Sequence, residues 1–64
     1  RIERVRLELR LSQGLELAVL TDIERSRVAG FVADGLATAD AGVLRLTPAG
    51  RLLADAVIRD LVEI

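Results

Sequence analysis

The chain has 64 residues, is 52% apolar and contains a single aromatic side chain, Phe31. Nine arginines face ten acids, giving a net charge of −1 with the two signs interleaved rather than blocked. With no histidine or cysteine, Ser/His/Asp and Cys/His catalysis, imidazole or thiolate metal sites and disulfides are excluded.

A chain this short buries only about 60% of the surface that its unfolded form exposes. Its aliphatic content is more than so small a core hides alone. One face is therefore expected to pack on a partner or on a larger parent chain. No side chain normally titrates near neutral pH, so an autonomous acid–base enzyme is a poor reading. Duplex binders carry a basic patch or stripe, and this charge pattern shows neither. No apolar run reaches the roughly 20 residues that span a bilayer, and nothing resembles a signal peptide, which points to the cytoplasm. Arg1, in the place of an initiating methionine, reads as the edge of a fragment.

In RIERVRLELRL (1–11), Ile2, Val5 and Leu9 share a helical face, while Val5, Leu7, Leu9 and Leu11 also alternate. The Glu, Arg and Leu content favours a helix, and Ser12-Gln13-Gly14 reads as its end, with Gly14 left-handed. LELAVL (15–20) reads as a short strand. Thr21-Asp22-Ile23-Glu24 fits a capping box, in which the Thr21 hydroxyl and the Glu24 carboxylate each accept from the other's backbone N–H. Asp22 adds negative charge at the favourable end of the dipole. The helix it opens is expected to turn Ile23, Val28, Phe31 and Val32 inward and to end at Gly35. Gly30, in mid-helix at a cost of about 1 kcal/mol against alanine, implies a close backbone approach.

Beyond Gly35, LATA and VLRLT flank Asp40-Ala41-Gly42 as two strands of a hairpin. Thr47 caps a last helix, with Pro48 at its first position. Leu52, Leu53, Ala56, Val57, Leu61 and Ile64 form its apolar face. Arg51, Asp55 and Arg59 recur every four residues as a solvated ladder. Asp34 and Asp40 read as local backbone caps.

The elements predict an α+β fold. It is a single small winged-helix-like domain over 1–64, with three helices, a short strand and a two-stranded β-hairpin. A full winged helix has two helices between its first strand and its wing, the second entering the major groove. The stretch between Leu20 and Gly35 holds one. Arg25, Arg27 and Arg45 are a candidate basic cluster, but Asp22, Glu24, Asp34 and Asp40 surround them and no Asn, Gln or Lys joins them for base readout. Nucleic acid is thus a disfavoured partner.

Three blocks, LRLSQGLEL, ADGL and VLRLTPAGRLLADAVIRDL, follow one another at characteristic spacings. In this succession they resemble the C-terminal domain of the oxygen-independent coproporphyrinogen III oxidase and radical SAM haem chaperone (HemN/HemW-like) family, over nearly the whole chain. The positions that carry the resemblance are Arg10 and Gly14, Gly35 and Leu36, and Leu46, Thr47 and Gly50. Leu9 stands where that family often has glycine. The LTPAG element alone is shared with MarR-type winged-helix regulators.

The resemblance implies a larger parent with an upstream radical SAM barrel, which carries a [4Fe-4S] cluster on a CxxxCxxC motif and binds S-adenosylmethionine. That motif is absent here, so neither cofactor is expected on this segment. The implied role is a non-catalytic accessory domain, packed on the barrel and helping to shape its tetrapyrrole side. Oxidases of the family decarboxylate two propionates of coproporphyrinogen III, whereas the chaperones bind haem and deliver it. Arg10 is the candidate ligand or interdomain contact, because its fork suits a propionate or a barrel carboxylate. The alternative for Arg10 is a surface pair with Glu3, Glu8 or Glu16. Thr47 is expected to cap, and Gly50 to let the last helix approach the hairpin. The remaining alternatives for the whole are a MarR-like DNA-binding domain and a dimerisation module using the last helix.

Overall fold

Helix α1 (Ile2–Leu9) opens the chain in a computed structural model that describes residues 1–62. It ends at Leu9, well before Gly14. Two tight turns, with Leu11 N donating to Glu8 O and Gly14 N to Leu11 O, unwind the chain between them. Gly14 is left-handed, with φ +81°, but it caps no helix. It is the point where the chain crosses a strand, because a Cβ there would sit 2.5 Å from the Leu44 carbonyl oxygen.

Strand β1 (Leu15–Glu16) is shorter than the apolar run that predicts it. The rest folds into a single 3₁₀ turn (Leu17–Val19). That turn occupies the position where a full winged helix would place a further helix. Helix α2 (Asp22–Ala33) then starts at the expected capping box: Glu24 N donates to Thr21 Oγ1 at 3.2 Å, and Thr21 N to Glu24 Oε1 at 2.9 Å.

The inward face of α2 differs from the pattern reading. Glu24 and Val28 are buried and Phe31 half-buried, whereas Ile23 and Val32 are exposed. The capping box is the cause. It turns Glu24 toward the core, and adjacent helical residues lie about 100° apart, so Ile23 is swung outward. Gly30 also differs, since nothing lies within 4 Å of where its Cβ would be and no backbone approaches it. The helix closes in a Schellman motif: Gly35 N donates to Val32 O, Leu36 N to Phe31 O, and Gly35 has φ +75°.

β2 (Ala37–Asp40) and β3 (Val43–Leu46) pair antiparallel from Ala37↔Leu46 to Asp40↔Val43. Between them Ala41 and Gly42 both have positive φ, +53° and +76°, the signature of a two-residue type I′ turn. β1 pairs with the other edge of β3, Leu15 opposite Leu44, so the sheet order is β1-β3-β2. The alternation along β3 turns Leu44 and Leu46 inward and Arg45 outward.

Among the described residues four α-helices stand where the pattern predicts three, because the last one breaks at Leu53 (φ −112°, ψ +24°) into α3 (Pro48–Leu52) and α4 (Ala54–Val62). α3 packs on β3, while α4 packs on α1 and α2. One straight helix would not serve both directions. The break buries Val57, Ile58, Leu61 and Val62, half-buries Ala56, and leaves Leu52 and Leu53 in solvent at 87% and 52% exposure. Ile64 lies outside the described residues. Around the inner face of the sheet, Val5, Leu9, Leu15, Leu44 and Leu61 are fully buried, so the core is aliphatic throughout and Phe31 only flanks it. Among the described residues no helix is long and apolar enough to cross a membrane.

Candidate functional site

The motif residues meet through their backbones. A Cβ on Gly50 would collide with the carbonyl of Leu36, so only glycine lets α3 lie against the entry to β2. Thr47 fastens the same corner with three hydrogen bonds. Its N–H donates to Leu36 O at 3.0 Å, its hydroxyl donates to Gly35 O at 2.6 Å, and the hydroxyl oxygen accepts from Gly50 N at 3.1 Å. Pro48 follows at the first helical position, where a missing N–H leaves nothing unsatisfied. The second and third blocks therefore form one latch, and Gly14 seats the first block on β3. Leu46 is buried beneath them.

Among the described residues Glu24 is the one buried charged residue, at 5% exposure. Besides capping α2 it accepts two hydrogen bonds from Arg1, at 2.7 and 3.1 Å. Those bonds, assisted by the Thr21 N–H, hold its carboxyl below the ordinary value of 4.5 and outweigh the opposing effect of burial. The group is a structural anchor for the start of α1.

Arg10 is at the C-terminal cap of α1. Its Nη1 donates to Arg6 O at 2.9 Å, satisfying a carbonyl of the helix end, and its Nη2 donates to Asp55 in the first turn of α4. Of the glutamates considered for it, Glu8 and Glu16 pair with Arg4 instead, and Glu3 makes no bond to Arg10. Asp55 is 92% exposed, which puts such a pair in the range of 0–1 kcal/mol, so it orients Arg10 more than it stabilises the fold. Together Arg6, Arg10, Asp55, Ile58 and Arg59 line an open groove of about 490 Å³ between α1 and α4. It runs on past Arg10 to Arg51, Leu52 and Leu53. Sequence reading treats Arg51, Asp55 and Arg59 as a plain solvated ladder. The signal it passes over is that Arg6 and Arg10 repeat the four-residue spacing on a second helix.

The candidate basic cluster is not assembled. Arg25 donates to Leu17 O, Leu20 O and Asp22, Arg27 donates to Leu61 O, and Arg45 to Ser12 O. Each of these arginines ties two segments of the fold together.

Chemically, the groove offers guanidinium donors, one carboxylate and an aliphatic floor. It suits anionic, partly apolar surfaces. Among the described residues no group of carboxylates is arranged to hold a metal ion. A [4Fe-4S] cluster needs thiolates, and a haem iron takes an axial His, Cys, Met or Tyr; this chain has none of them, so its residues do not fit either iron centre.

A reduced winged-helix-like scaffold, locked by glycine contacts and presenting one arginine-lined groove, is in class a small α+β domain. More particularly, the chain is a homologue of one part of the heme chaperone HemW. It is 52% identical over 60 residues to heme chaperone HemW of Mycobacterium tuberculosis, in strains CDC 1551 / Oshkosh and H37Rv. The match covers 94% of this chain and 15% of either relative, so the chain spans about one seventh of their length. No family model and no solved structure matches it.

Proposed function

We propose that this chain is a non-catalytic C-terminal accessory domain of a radical SAM haem chaperone or coproporphyrinogen III oxidase-like protein. In this reading it packs on the barrel of the same polypeptide in the cytoplasm and helps to shape the tetrapyrrole side. The observation that carries the reading is the likeness to heme chaperone HemW over nearly the whole chain. Two features support it. Leu52 and Leu53 are exposed side by side and contribute nothing to the domain's own core. The chain also lacks the groups for cluster, haem-iron or acid–base chemistry, so those belong to the remainder of the parent. The winged-helix regulator is not favoured, because the arginines it needs are engaged within the fold.

The test is complementation in trans. The 64-residue chain and the remainder of its parent are produced separately, mixed, and followed by size-exclusion chromatography and calorimetry. A one-to-one complex is expected, and it should fail to form when Leu52→Asp and Leu53→Asp are introduced together. Absence of any complex overturns the reading. A haem titration with and without Arg10→Ala tests the tetrapyrrole contact separately.

A further inference from the structure

We infer that the groove between α1 and α4 is a docking site for a carboxylate-rich helix, and that Asp55 holds the place of one of the carboxylates the partner brings. The inference rests on the packing role proposed above and adds the chemistry of the surface that is recognised.

Three observations lead to it. The first is how the arginines are used. Arg1, Arg25, Arg27 and Arg45 each bond to a residue of another segment, and Arg4 pairs with Glu8 one turn along α1. Arg6 and Arg51 have no side-chain partner among the described residues, and Arg59 has only its neighbour Asp60 at 4.0 Å. Those three, with Arg10, all line the groove and its extension. The three cations with the least use in the fold thus lie on one face with Arg10, whose carboxylate partner is almost fully exposed.

The second is spacing. Arg6 and Arg10 are four apart along α1 and its C-terminal cap, and Asp55 and Arg59 are four apart along α4. Residues four apart share one side of a helix, so each bank carries a charged pair, and Arg51, on α3 across the break at Leu53, lines the extension of the same groove. A helix with glutamates four apart fits between the banks, and its apolar residues meet Ile58 on the floor and Leu52 and Leu53 at the lip. Four cations against Asp55 leave the face net positive, so two copies placed groove to groove would repel. A second copy is for that reason the wrong occupant.

The third is the Arg10–Asp55 pair. Arg10 already has one nitrogen on the Arg6 carbonyl, so its fork is fixed while its carboxylate partner remains almost fully in solvent. An incoming glutamate exchanges with Asp55 one for one, without moving the guanidinium.

The experiment titrates the 64-residue chain with the remainder of the parent at low and high salt. A second titration uses a synthetic helical peptide with glutamates four apart and leucines beside them. Arg51→Glu with Arg59→Glu should weaken both interactions about tenfold, added salt should weaken them, and Asp55→Asn should tighten them about threefold. Circular dichroism confirms that the variants fold; Arg51, which has no side-chain partner among the described residues, is the substitution safest for folding. If the remainder binds but neither charge reversal nor salt matters, the inference is overturned while the packing role stands. If the remainder does not bind, the packing role fails and the peptide decides. Binding that is lost on charge reversal upholds the inference, and no binding overturns it. Self-association of the wild-type chain through the groove also overturns it.

Discussion

The carbonyl of Leu36 occupies the space that a Cβ on residue 50 would need. Gly50→Ala must therefore push α3 off the entry to β2, disturbing the Thr47 bonds to Gly35 and Leu36 at the same corner. The expected loss is at least about 1–3 kcal/mol, the range for overpacking a tight contact. Gly30→Ala is the control. That position is exposed, helical and open, so the same change should stabilise by about 1 kcal/mol. Urea denaturation of the two variants decides it: equal effects, or a neutral Gly50→Ala, would contradict the packing described.

Ala41 is the described non-glycine residue with positive φ, and it occupies the first central position of the β2–β3 turn. Alanine in the left-handed region costs roughly 1 kcal/mol, and type I′ turns prefer Asn-Gly at these two positions. Ala41→Asn should raise stability by about 0.5–1 kcal/mol, which for a domain of this size is a melting temperature several degrees higher. A thermal melt that is unchanged or lower would mean that the turn has another geometry.

Glu24 couples the fold to acid. Its pKa is lower in the folded state than the ordinary 4.5 of the unfolded chain, so the stability it contributes is fully present above that value. The contribution falls away as the pH drops from about 5 through the folded-state pKa. Glu24→Gln cannot take part in this titration. The variant should be less stable than wild type at pH 7, by about 1–2 kcal/mol for a charge-assisted cap and anchor, and the difference should shrink toward pH 3. A constant gap across that range would rule out the assignment.

How much of this was legible beforehand depended on whether a signal was local. The capping box, the helix stop at Gly35 and the hairpin at 40–42 are each decided within a few residues, and the sequence displays them. The α+β class follows from their order. The direction in which a helical face points is not local. Ile23 and Leu52 are as apolar as any core residue, yet the capping box turns one outward and the break at Leu53 turns out the other. Gly30 and Gly50 look alike in sequence, and only the path of β2 distinguishes them. The arginine groove was out of reach for a similar reason. Arg10 and Asp55 are 45 positions apart, and the packing of α1 on α4 brings them together.

The break at Leu53 divides the leucines of the final segment into two classes. Leu61 is fully buried, so Leu61→Ala removes a filled volume between α4 and its neighbours. Truncations of that kind cost about 2–5 kcal/mol, enough to unfold much of so small a domain. Leu52 is 87% exposed, so Leu52→Ala should change stability by less than about 0.5 kcal/mol. An unbroken helix with the apolar face that the sequence pattern implies would make the two losses comparable. The pair of denaturation curves thus measures the break directly. A small Leu61 effect or a large Leu52 effect would restore the straight helix and leave the docking lip without its leucines.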